Sequence, residues 1–229
     1  MKNKLTKFAL LATIGLSLTF SFSCSSGSDD TSSNSGTFTD NRDNTTYKWV
    51  KIGEQTWMAE NLNYAVEGVK CYNNEPANCT IYGKLYDWAT AMALPADCNS
   101  NFCNSQVGAK HQGICQSGWH IPSDVEWSML IDFAGGSSVA GTKLKAKSGW
   151  NNKGDKSGNG TNDYGFSALP GGFVNSVGSF TNVGNDGYWW SSSEYDSYFA
   201  YSRGMHYNVE NVTTNGGKSY LRSVRCVKD

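Results

Sequence analysis

What this 229-residue chain has little of narrows its reading first. It holds 4 prolines and 3 histidines, and no Cys-x-x-Cys pair. The missing pair argues against a thioredoxin-like redox centre, and the Cys and His positions lack zinc-ribbon spacing. Basic charge is also short: removing Lys2, Lys4 and Lys7 of the amino terminus from 19 Lys+Arg leaves 16 against 20 Asp+Glu, a formal charge of -4. With no basic patch, nucleic acid is not an expected partner. A Gly-x-Ser-x-Gly nucleophile elbow is absent too. After Phe22 no apolar run approaches the roughly 20 residues needed to span a bilayer.

Cysteine, glycine and aromatic residues are what is there. The chain opens with three lysines and an apolar run from Phe8 to about Phe22, which reads as an export signal over residues 1–23. Cys24 follows Ser21-Phe22-Ser23 and resembles the acylated cysteine of a bacterial lipobox, with Ser21 where Leu is usual. A lipid on Cys24 would make the membrane a partner and place the protein at the outer membrane or cell surface. Residues 24–37 are rich in Ser, Gly, Asn and Asp and read as a flexible tether. The folded domain is then expected over 38–229.

Six further cysteines, Cys71, Cys79, Cys98, Cys103, Cys115 and Cys226, make an even set in an exported chain. Local spacing favours Cys71–Cys79 and Cys98–Cys103 as short staples, which leaves Cys115–Cys226 to close a long loop. Residues 47–58 read as a hairpin turning at Gly53, with Tyr47, Trp49 and Lys51 on one side and Lys48 and Val50 on the other. Leu85, Trp88, Ala89 and Met92 recur at helical spacing, so a helix is expected over 82–94, with Asp87 off its buried stripe as a solvated or capping carboxylate.

In Gly118–Trp127, GWHIPSDVEW, Ser123 and Glu126 form a capping box. The helix it starts carries Trp127, Leu130, Ile131 and Ala134 on its apolar face and stops at Gly135-Gly136. Asp124 and Glu126 then serve a helix start, and His120, with no acidic or thiol partner at useful spacing, reads as a packed or hydrogen-bonded histidine. A short helical turn is expected over 142–150 and a buried strand over 166–173. Further strands are expected at 187–192, 199–205 and 220–227, separated by Asn/Asp/Gly turns.

Six segments stand in an order that resembles the Fibrobacter succinogenes major paralogous domain, a family of exported bacterial proteins. They are YKWVKIGEQTWMAENLNY at 47–64, YGKLYDWATAM at 82–92, GWHIPSDVEW at 118–127, NDYGFSALPGGF at 162–173, GYWWSSSE at 187–194 and SVRCVKD at 223–229. That family is similar in turn to the C-type-lectin-like fold as seen in formylglycine-generating enzymes. The resemblance implies an α+β domain of small twisted antiparallel sheets, two main helices and long disulfide-stapled loops, with its first and last strands close together. A Cys115–Cys226 bond agrees with that arrangement.

The copper chemistry of formylglycine-generating enzymes needs two nearby late thiols, and only Cys226 lies late here, so no enzyme activity is expected. Glu194 and Asp196 are neighbours in sequence, but nothing places them across a scissile bond. The expected role is an adhesive or ligand-recognition module for a polysaccharide or an envelope protein, with Tyr188, Trp189, Trp190 and Tyr195 as candidate contacts. Because strand residues alternate sides, at least one of the two tryptophans should face the core. The alternative is a structural envelope component without a small ligand. Lectin-type calcium signatures are incomplete at Glu75-Pro76-Ala77 and Asn185-Asp186-Gly187. Asp155, Ser157, Asn159 and Asp163 match the first half of a calcium loop, but position twelve is Phe166, so a plain turn competes with a Ca2+ site and no other cofactor is expected.

Overall fold

A computed structural model describes residues 33–229, which form one compact unit. The expected signal over 1–23 and Cys24 lie outside the described residues. Among those described, the fold is α+β. Strands β1 (Ser35–Thr39), β2 (Thr46–Ile52), β3 (Gln55–Met58), β4 (Trp119–His120) and β10 (Val227–Lys228) form an antiparallel sheet in the order β1-β2-β3-β10-β4. Strands β7 (Asp186–Glu194), β8 (Phe199–His206) and β9 (Val212–Gly217) form a second antiparallel sheet, and β5 (Phe173–Val174) pairs with β6 (Phe180–Thr181). The helices are α1 (Pro76–Tyr82), α2 (Trp88–Ala91), α3 (Asp124–Phe133) and α4 (Ala140–Leu144).

The ordered domain starts earlier than the tether reading allows. Ser35, Gly36 and Thr37 pair with β2, and Phe38 stacks on Trp119 at 4.4 Å. Strand pairing and one partly buried ring thus order the last residues of a stretch that is polar in composition. The hairpin is as expected, with β2 and β3 joined through Gly53 at φ +59°.

Both faces of this strand layer are covered. Tyr47, Met58, Trp190 and Cys226 belong to one hydrophobic cluster. Their alternating neighbours Val50, Ile52, Trp57, Trp189 and Val227 belong to another. Period-two alternation here divides two cores rather than core from solvent. Helix α3 packs Trp127, Leu130, Ile131 and Ala134 into the second cluster, where Trp57, Trp127 and Phe166 meet with ring centroids 4.7–6.0 Å apart. The α3 capping box forms as expected: Glu126 N donates to Ser123 Oγ at 3.2 Å and Ser123 N donates to Glu126 Oε2 at 2.8 Å.

The helix expected over 82–94 is overturned. Gly83, at φ +73°, ends α1, and Leu85 and Tyr86 run extended, bridging Lys70 and Arg222. Only Trp88–Ala91 is helical, with Asp87 as its cap accepting from Thr90 N at 2.8 Å. Leu85, Trp88, Ala89 and Met92 are all buried, but through surrounding chain on every side rather than one helix face. The 166–173 strand reduces to two isolated bridges, Ala168 to Lys145 and Gly172 to Gly187, before β5 begins. In place of a 142–150 turn, α4 covers Ala140–Leu144. The 220–227 strand survives as single bridges at Leu221, Arg222 and Ser223 before β10, and β9 was not anticipated.

The three disulfides join Cys71 to Cys79, Cys98 to Cys103 and Cys115 to Cys226, as the spacing suggested. The last closes a span of 111 residues beneath β10.

Candidate ligand-recognition surface

Strand β7 carries the aromatic residues singled out in the sequence, and the structure separates them. Trp189 and Trp190 are both 0% exposed. Trp189 Nε1 donates to Asn61 Oδ1 at 2.8 Å and Trp190 Nε1 to the Tyr86 carbonyl at 2.7 Å. Both indoles are core pillars, which removes them from any ligand surface. The cause is the second hydrophobic layer, which a single amphipathic strand does not announce.

Tyr188 is half-buried in a ring-lined face with Phe173, His206 and Arg222 around it. Its hydroxyl donates to Asp186 Oδ2 at 3.3 Å, and burial pushes its pKa up to about 12. Asp186 also meets His206 Nδ1 at 2.9 Å, and His206 Nε2 lies 3.0 Å from Thr213 Oγ1. This relay cross-links β7, β8 and β9. Burial opposes the Asp186 charge, but the bonds from His206 and Asn182 outweigh it and hold the carboxyl below its usual range.

Tyr195 leads to the most exposed aromatic ground. The turn between β7 and β8 presents Tyr195, Tyr198 and Phe199 at 59%, 64% and 46% exposure. Its backbone is set by Asp196, whose Oδ1 accepts from Tyr198 N and Phe199 N, both at 2.8 Å. Phe102, 59% exposed, projects from the neighbouring loop closed by Cys98–Cys103. Glu194 and Lys218, both fully buried, pair beneath and fasten these two loops together. Lys218 Nζ also donates to Asn101 O at 3.0 Å, Ser197 O at 3.1 Å and Cys98 O at 3.2 Å. Glu194 in turn accepts from Cys103 N at 2.9 and 3.0 Å. A buried charge pair whose ammonium meets four acceptors and whose two carboxylate oxygens both accept bonds is stiff, so the aromatic tip rests on a fixed base.

Exposed ring faces offer contact area at small cost in side-chain entropy, and tyrosine adds a hydroxyl. Sequence reasoning found Tyr195 but missed Phe102, Tyr198 and Phe199. The signal available was the aromatic-rich turn YDSYFAY at 195–201.

His120 is packed and hydrogen-bonded as expected, but its partners are the acidic ones that spacing did not supply. It is 1% exposed, with Nε2 at 2.7 Å from Glu126 Oε1 and Nδ1 at 2.6 Å from Asp229 Oδ1. The pairing of β10 with β4 brings Asp229 in across 109 residues, beyond the reach of spacing arguments. Burial alone would lower the His120 pKa, but the two carboxylates outweigh it and hold it above its ordinary value.

The four oxygen donors of the possible calcium loop do not converge. Asp155, Ser157 and Asn159 line one cleft, together with Lys145, Lys153 and Lys156, while Asp163 lines another beside Phe133. Asn159 Oδ1 accepts from Trp150 N at 2.9 Å. Among the described residues, no group of three or more His, Cys, Asp or Glu side chains is placed to hold a metal. The loop is a turn rich in lysine.

These features define a disulfide-stapled α+β domain with two large hydrophobic clusters, a third small one and an aromatic tip. The chain belongs to the Fibrobacter succinogenes major domain family, whose model matches residues 50–228. No curated protein and no solved structure matches it.

Proposed function

We propose that this domain is a non-catalytic recognition module at a bacterial surface, and that Phe102, Tyr195, Tyr198 and Phe199 bind a polysaccharide. The observation that carries this reading is the display of four exposed rings on two loops that a fully buried ion pair fastens together. Aromatic faces stack on the apolar faces of sugar rings, and a preorganised base lowers the entropy lost on binding. A C-type-lectin-like fold is consistent with the pairing of β10 beside β3 and β4 and with function carried on long stapled loops. The export signal would route the chain out of the cytoplasm, and the lipid at Cys24 would hold the module at the outer membrane or cell surface.

The test is a pull-down of the full-length protein on insoluble polysaccharides, among them cellulose, xylan and peptidoglycan. Replacing Tyr195, Tyr198 and Phe199 with Ala should weaken retention by ~10-fold or more while thermal unfolding stays in place. Unchanged retention in that variant would overturn the tip as the contact. No retention on any polysaccharide, with envelope proteins co-purifying, favours the structural role. In the same preparation, a mass lacking diacylglycerol at Cys24 would remove the anchor.

A further inference from the structure

A second site lies at the other end of β8, ~24 Å along the strand from the aromatic tip. Here the loop 153–159 faces the segment 207–210 across a cleft of about 620 Å³. Lys153 and Lys156 face each other directly, Lys153 N donating to Lys156 O at 2.8 Å and Lys156 N returning to Lys153 O at 3.2 Å. Opposed residues of such a pair put their side chains on one face. Lys145 completes the set from the floor of the cleft. It is 3% exposed, and its Nζ donates to His206 O at 3.0 Å and more loosely to Val209 O at 3.5 Å.

A buried ammonium ordinarily has a carboxylate against it. None lies within ion-pair distance of Lys145 among the described residues. Trp150 covers its other side, with the ring centroid 5.1 Å away. Burial accordingly pulls the Lys145 pKa down, and Glu210 offsets only part of that. Three lysines line the cleft against two carboxylates, Asp155 and Glu210. Thr142 and Ser157 add hydroxyls and Asn159 an amide to the wall.

We infer that this cleft binds an anionic group of a saccharide, a carboxylate or a phosphate, with Lys145, Lys153 and Lys156 as its cationic contacts. The anion would supply the counter-charge that Lys145 lacks, and the surrounding hydroxyls would meet the sugar. The same balance makes the loop a poor seat for calcium, whose charge would be set against three ammonium groups at close range.

Calorimetric titration of the purified full-length protein at low ionic strength tests this, with galacturonate, inorganic phosphate, neutral galactose and calcium chloride as probes. Galacturonate or phosphate should bind, weaken as salt is raised, and lose ~10-fold or more in the Lys153→Gln/Lys156→Gln variant. Galactose should bind far more weakly than either anion. Heat with galacturonate alone assigns a uronate, and heat with phosphate alone a phosphosugar. Lys145→Met, checked first for an unchanged unfolding temperature, should abolish the response. Absence of anion binding, equal affinity in the double-lysine variant, or calcium binding abolished by Asp155→Asn would overturn the assignment. Because the tip residues are untouched, failure here leaves polysaccharide retention by the aromatic rings intact.

Discussion

His120 shows how one side chain can join chain segments that sequence keeps far apart. Its imidazolium bridges Glu126, at the start of α3, and Asp229, beyond β10. Its folded pKa is raised, so the stabilisation is complete below the ordinary value of about 6.5 and is lost as pH rises through the higher folded value. Glu126 has the opposite sign. Burial disfavours its charge, but bonds from His120 and Ser123 overcome that and lower its pKa, so its contribution holds above the ordinary carboxylate range and fades on acidification. Unfolding by urea should therefore show a plateau of stability between these limits, with a decline on the alkaline side. In His120→Gln that alkaline decline should flatten and stability near pH 6 should fall by about 1–2 kcal/mol. An identical pH profile in the variant would show that the bridge does not matter. The sequence disclosed the capping box in full, since all its partners lie within four residues. It could not disclose Asp229.

At the scale of elements, the clearest case is the pair of loops under the aromatic tip. Lys218, beyond the end of β9, enters a pocket formed by residues 98–103 and the β7–β8 turn, and Glu194 answers it from the end of β7. Removing one member of a buried pair leaves the other charge uncompensated, so Lys218→Met should destabilise the domain by about 3–5 kcal/mol. The double change Lys218→Met/Glu194→Gln should recover part of that loss. Hydrogen exchange at 98–103 and 195–199 should rise together in the single variant, because one ammonium ties both backbones. Independent behaviour of the two loops would contradict the shared anchor. The helix expected over 82–94 failed at this scale for a related reason. Its apolar spacing was real, but apolar residues at i, i+3 and i+4 also arise when an irregular segment is buried on all sides. The extended bridges of Leu85 to Lys70 and of Tyr86 to Arg222 prevailed over local pattern.

For the whole molecule, Cys115–Cys226 carries the largest constraint on the chain. Closing 111 residues removes loop entropy worth about 4–5 kcal/mol in the chain-entropy model. The double change to Ala should lower stability by an amount of that order, whereas Cys71 and Cys79, separated by 8 residues, should matter less. Chemical denaturation of the two variants side by side measures the difference. Equal losses would show that strain or packing, rather than loop length, dominates.

The sequence by itself determined what is local or compositional: the even cysteine set and its short pairs, the β2–β3 hairpin, the α3 start and stop, and the six ordered segments that mark the family. Each depends on residues within a turn or two of one another, or on counts that folding cannot alter. Tertiary structure alone decided which faces are solvent. Trp189 and Trp190 could be alternating neighbours with one exposed until a second hydrophobic layer closed over the strand. His120 gained its second carboxylate only when β10 brought Asp229 beside it. The lysines of the 153–159 loop became a common site only when Lys145 and the end of β8 lined the same cleft. Burial and charge pairing are properties of surroundings, and the surroundings here come from residues far away in the chain, as with Asn61 and Arg225, 164 positions apart.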